Sequence, residues 1–178
     1  MRTKIITLVS AAAMILMISS VYSQEQKIDA GISNFSKYLG TWHSHFTMKA
    51  GGKTEVVDYT VVYTPVAEGH GVYMEETATS PTMGNYKCSN LIGYDPYAKK
   101  LHWYSVDNMG TAHDHTFTWV TPDHFTLAHS SLRDGKKYTE SIDCKYKSEN
   151  SCFLSYVVTL DGKEVEKSEG TFDRETNK

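Results

Sequence analysis

The sequence predicts an all-β protein of about ten antiparallel strands, running up and down and closing into a barrel behind a short N-terminal helix. Three observations lead there. Turn signals recur at Ala50–Lys53, Pro65–Gly71, Ser80–Asn85, Asp95–Ala98, Asp107–Gly110, Thr121–Asp123, Arg133–Lys136, Ser148–Ser151 and Asp161–Lys163, at close to the spacing of all-β folds. The runs between them alternate in polarity and are rich in aromatic and β-branched residues. No long helical pattern interrupts them, which argues against a parallel α/β sheet. Such a meander closes on itself because closure leaves no edge strand exposed. A barrel of this size encloses a small cavity.

The N-terminus reads as a targeting segment. Arg2 and Lys4 precede a weakly polar to apolar run from Ile5 to Ile18, and Val21 and Ser23 place small residues at a cleavage site before Gln24. The run is shorter than the ~20 residues of a membrane helix. Residues 1–23 are therefore expected to be a signal peptide, and the protein to be periplasmic or secreted. No cysteine follows the small residues, so a lipoprotein anchor is not indicated. Residues 24–178 suit one domain: 24–37 an N-terminal segment with the helix, 38–174 the barrel. Without Arg2 and Lys4, 16 basic residues face 21 acidic ones, for a net charge of −5. That balance, with no basic run, argues against nucleic acid and anionic membranes as partners. A monomer or a homodimer fits.

Ile28, Ile32, Phe35 and Leu39 fall at helical spacing with Asp29 as N-cap, predicting a helix from about Asp29 to Lys37. It is too short to stand alone and must dock as a cap over one barrel end. Alternation then assigns the strand faces. Val57, Tyr59, Val61 and Tyr63 share one side, as do Leu101 and Trp103, with Ser105 and Asp107 beyond them. His113, His115, Phe117 and Trp119 form another set, followed by Phe125, Leu127 and His129, then Tyr156, Val158 and Leu160. Asp95-Pro96 starts a turn because proline presets φ, and Asn108 and Gly110 tolerate the positive φ of the next one.

Tyr38-Leu39-Gly40-Thr41-Trp42 resembles the opening of lipocalins and fatty-acid-binding proteins, which implies that Gly40 and Trp42 close the barrel floor. Gly93-Tyr94-Asp95-Pro96 and Val106-Asp107-Asn108-Met109-Gly110-Thr111 extend the likeness. Together they resemble a bacterial family catalogued as domain of unknown function fifteen seventy-nine, from Tyr38 to about Arg174. That resemblance implies a calycin-type barrel and little chemistry. Nitrobindin-like barrels, which bind haem, carry Gly-x-Trp-x-Gly-x-Gly in the first strand. Ser44 and Phe46 stand here at the two later glycine positions.

Two His-x-His pairs are the main chemical signal. Residues i and i+2 on a strand face the same way, so two imidazoles can share a metal at roughly 2.0–2.1 Å from each nitrogen. If Trp42 points inward, His43 and His45 point outward. His113 and His115 are then the better pair, with His129 as third ligand and zinc as the candidate ion. The plainer role for these three is polar lining of a wet cavity. Asp114 falls on the opposite face from both histidines. No Gly-x-Ser-x-Gly nucleophile turn exists. The only carboxylate pairing on offer is Glu75 with Glu140 or Glu169 across strands. Cys88, Cys144 and Cys152 allow one disulfide, Cys144 to Cys152 across the Ser148–Ser151 turn, or three reduced thiols.

The expected function is binding of a small, largely apolar ligand, with His113, His115, Phe117, Trp119, His129, Trp103 and Tyr59 as contacts. The alternatives are a histidine-ligated metal enzyme such as a hydrolase or isomerase, haem binding, and a filled barrel acting as a structural module.

Overall fold

A computed structural model describes residues 29–82 and 84–176. The expected signal peptide and Ile28 lie outside them. Ten strands form one closed barrel: β1 (Gly40–Ala50), β2 (Lys53–Val66), β3 (Gly71–Ser80), β4 (Gly84–Asp95), β5 (Lys100–Asp107), β6 (Ala112–Thr121), β7 (His124–Arg133), β8 (Lys136–Ser148), β9 (Ser151–Leu160) and β10 (Lys163–Arg174). Each strand pairs antiparallel with its successor, and β10 returns to pair with β1. The closed up-and-down barrel read from the sequence is therefore the fold. Asp134 and Asp161 take positive φ ahead of Gly135 and Gly162, the backbone that two-residue hairpins need to match strand twist.

The N-terminal cap differs from one continuous helix. The α-helix α1 spans only Ala30–Ser33, and the chain tightens into a 3-10 turn over Asn34–Tyr38. Asp29 caps it as expected, accepting from Gly31 N at 2.7 Å. Tertiary anchors tighten the rest. Asn34 Nδ2 donates to Pro122 O at 2.9 Å, and Tyr38 Oη donates to Asp123 Oδ1 at 2.7 Å. Gly31 lies close under Leu101: a Cβ there would meet Leu101 Cδ1 at 2.6 Å, and that side chain would have to shift. Its carbonyl accepts from Trp119 Nε1 at 2.9 Å.

The cap drives Phe35 into the barrel end. Phe35 is fully buried, with the rings of Tyr63, Trp103, Phe117, Trp119 and Phe125 at 5.1–6.4 Å. Trp42 is buried beside it and donates to Tyr38 O at 2.9 Å, so Gly40 and Trp42 sit at the closed end. Just after the register shift between Glu164 and Glu166, Glu166 lies on the inner side of β10 in phase with Ser168 and Phe172.

All three cysteines are free and buried, the three-thiol arrangement of the two that the sequence allows. Cys144 pairs in register with Leu154 and Tyr146 with Cys152, so the two cysteines are diagonal neighbours whose thiols share a hydrogen bond. That hydrogen bond and burial raise the Cys144 pKa, and burial pushes the Cys88 thiol up to about 12. Neither offers the thiolate a nucleophile needs.

Candidate functional site

The barrel encloses a cavity of about 380 Å³. Its walls include Phe46, Tyr59, Tyr63, Met74 and Trp103, with polar groups set among them. Two carboxylates organise those groups from strands β3 and β8, five places apart round a ten-stranded ring and so on opposite walls.

Glu140 on β8 is the first centre. Its Oε2 accepts from His113 Nδ1 at 3.0 Å and from His115 Nε2 at 2.8 Å. Its Oε1 accepts from the Tyr138 and Tyr156 hydroxyls. Burial by itself would raise the Glu140 pKa. The bonds from His115 and Tyr138 and the nearby imidazoles outweigh burial and hold it at about 2, so the carboxylate is ionised. Burial also lowers the His113 pKa, against the pull of Glu140. Arg133 lies over the Tyr138 ring at 4.1 Å, on the same side of the cavity.

Glu76 on β3 is the second. Its Oε1 accepts from Asn90 Nδ2 at 2.7 Å, and Oε2 accepts from the Tyr59 hydroxyl. Asn90 is fully buried and ties the centre to its surroundings, accepting from Trp103 Nε1 at 2.8 Å and Ser105 Oγ at 2.6 Å. Desolvation raises the Glu76 pKa despite these donors, and desolvation with the charge of Glu140 raises that of Glu166. The same interior therefore holds one carboxylate forced ionised and two pushed toward the neutral acid.

Among the expected contacts, His113, His115, Trp103 and Tyr59 line the cavity. Phe117 and Trp119 are corrections: they pack against Phe35 beneath the cap and do not line the cavity. Alternation along β6 fixes the face of a side chain but not its height in the barrel. Both sit nearer the capped end than the two histidines on the same strand.

His129 is the second correction. It stands opposite Glu140 in register, and its ring stacks on His113 at 4.4 Å and meets His115 edge-on at 5.6 Å, but its Nδ1 donates to Asp114 O at 3.1 Å and it is not among the converging donors. His115 and Glu140 meet past it, so Glu140 takes the place foreseen for His129 as third ligand. One donor atom from each of His113, His115 and Glu140 lies within 4.8 Å of the others.

The carboxylate pairing is the third correction. Glu75 is exposed, and Glu169 faces solvent with Lys167 at 2.9 Å. Glu76 is the inward neighbour that alternation with Val72 and Met74 signals. As expected, His43 and His45 point outward, beside Thr60 and Asp58, and Asp114 is exposed beside His102.

Haem does not fit this interior. Ser44 and Phe46 both point inward, and Phe46 packs on Tyr59 and Phe172 at 5.7 Å, filling space that glycine would leave open.

No family model matches the chain, and no curated protein matches it. Among solved structures, an S-type phycobiliprotein lyase from Guillardia theta is similar, at 16% identity and a TM-score of 0.55, over 82% of this chain and 93% of that one. A de novo designed fluorescence-activating β-barrel matches at 13% identity and a TM-score of 0.40, over 80% of this chain and 98% of that one. A redesigned barrel matches at 14% identity and a TM-score of 0.44, over 79% and 94%. At these identities the first shows a shared β-barrel fold. The resemblance to the uncharacterised bacterial family rests on the motif residues alone.

Proposed function

We propose that this protein binds a small, largely apolar molecule bearing one polar group inside the barrel, after export directed by residues 1–23. The observation that carries the reading is the cavity of about 380 Å³, walled by aromatic rings and holding two pre-bonded carboxylate centres. Ligand sites run from roughly 300 to 1,000 Å³, mostly apolar with a few placed polar groups. Area removed from water contributes about 25 cal/mol per Å², so the rings supply most of the affinity. Glu140, ionised, accepts from a ligand hydroxyl or amine, and Glu76, whose pKa burial raises, places a second polar centre on the opposite wall. An open interior also disfavours a filled structural barrel.

Native mass spectrometry of protein from its own host, with a titration by an apolar fluorescent probe, tests the reading. A copurified mass released on unfolding is expected. Met74→Trp, which fills the lumen, is expected to weaken probe binding about tenfold or more, roughly 1.4 kcal/mol, with the β-sheet circular dichroism retained. A bare chain mass together with no probe binding would end it.

A further inference from the structure

We infer that His113, His115 and Glu140 form a binding site for a first-row divalent transition cation, with its remaining coordination positions open to the cavity. Three donor atoms, one from each side chain, converge within 4.8 Å on adjoining parts of the wall. His115 and Glu140 are buried and His113 is half-buried, so the ion would be shielded on the wall side and reachable from the lumen. Two imidazole nitrogens and one carboxylate oxygen suit zinc or ferrous iron, and three protein ligands leave a position for water or a bound molecule.

The two donor contacts to Glu140 fit with a small adjustment, and the two imidazole nitrogens, within 4.8 Å of each other, close on the ion by side-chain rotation. A tetrahedral ion with bonds of about 2.0–2.2 Å sets its ligand atoms about 3.4 Å apart. The contacts to Glu140 Oε2 are 2.8 and 3.0 Å, so each opens by about half an ångström as the ion replaces two hydrogen bonds. Glu140 is already aimed: Tyr138 and Tyr156 hold its other oxygen from the second sphere. The ion site does not depend on the apolar ligand; either can be present without the other.

The test is calorimetric titration of tag-free, chelator-stripped protein with Zn²⁺ and, anaerobically, with Fe²⁺, followed by metal analysis after desalting. One ion per chain is expected for at least one of the two, and the tighter arm identifies the metal. His115→Gln and Glu140→Gln are each expected to weaken binding by on the order of tenfold or more. The outward His45→Ala is expected to leave it unchanged. Circular dichroism and probe binding show which variants fold. If Glu140→Gln does not, His113→Gln at its less buried position must show the same loss. Absence of stoichiometric binding by wild type overturns the site. So does binding that survives His115→Gln and His113→Gln, or that is lost in His45→Ala.

Discussion

At the capped end of the barrel, Phe35 is enclosed by five aromatic side chains. Toward the other end, Glu140 is enclosed by two imidazoles and two phenols. Strand β6 runs through both regions, presenting Trp119 and Phe117 to the first and His115 and His113 to the second. The capped end is held by area removed from water and by ring packing, neither of which depends on proton concentration. The polar end is held by charge-assisted hydrogen bonds, which exist only in one protonation state. One end is thus a plug, and the other is poised to exchange its partners for a ligand.

The largest expected effect lies in the plug. Phe35→Ala should cost about 3–5 kcal/mol by urea denaturation, equally at pH 7 and pH 4. A pH-dependent cost would break the contrast between the two ends. Glu140→Gln should come next and behave oppositely. In metal-free protein the folded pKa of about 2 lies below the ordinary carboxylate value. The carboxylate therefore adds stability above the unfolded value near 4.5, and loses it as pH falls toward 2. The shift corresponds to on the order of 3 kcal/mol at pH 7, and stability against pH should show the variant and wild type converging in acid.

Gly170→Ala probes the seam where β10 meets β1. The added Cβ would meet Phe46 Cδ2 and Ser44 Oγ at 2.8 Å and the Phe46 backbone at 3.2 Å. Overpacking of this kind should cost about 1–3 kcal/mol, with the shift visible in the near-ultraviolet signal of the aromatic wall. Asp29→Ala should be smallest, about 1 kcal/mol, since it removes one cap bond from a four-residue helix. Its thermal melt should shift by a few degrees with probe binding intact.

The strand order, the nine turns and the inward set of β2 are readable in the chain because turn chemistry and alternation are local. The same locality places Trp42 inward and Asp114 outward. Reading failed where position along the barrel axis mattered. Trp119 has an inward aromatic face, yet it donates to the cap at Gly31 instead of lining the cavity. It failed again where side chains of neighbouring strands meet across the sheet. Asn90 gathers Glu76, Trp103 and Ser105 from β3 and β5, and no spacing along one strand announces that. Glu166 is in phase with Ser168 and Phe172, but it was masked by the other charged residues along β10.

The amino-acid sequence by itself determined a meander of ten short strands, the side of each strand that avoids water, and the pull toward closure. These follow from φ preferences at turns and a period of two along extended chain. Only the tertiary structure decided that Glu140, not His129, bonds to both His113 and His115, and that Glu76 answers from across the lumen. Those choices depend on how far each side chain reaches over its neighbouring strand, a distance no local pattern encodes.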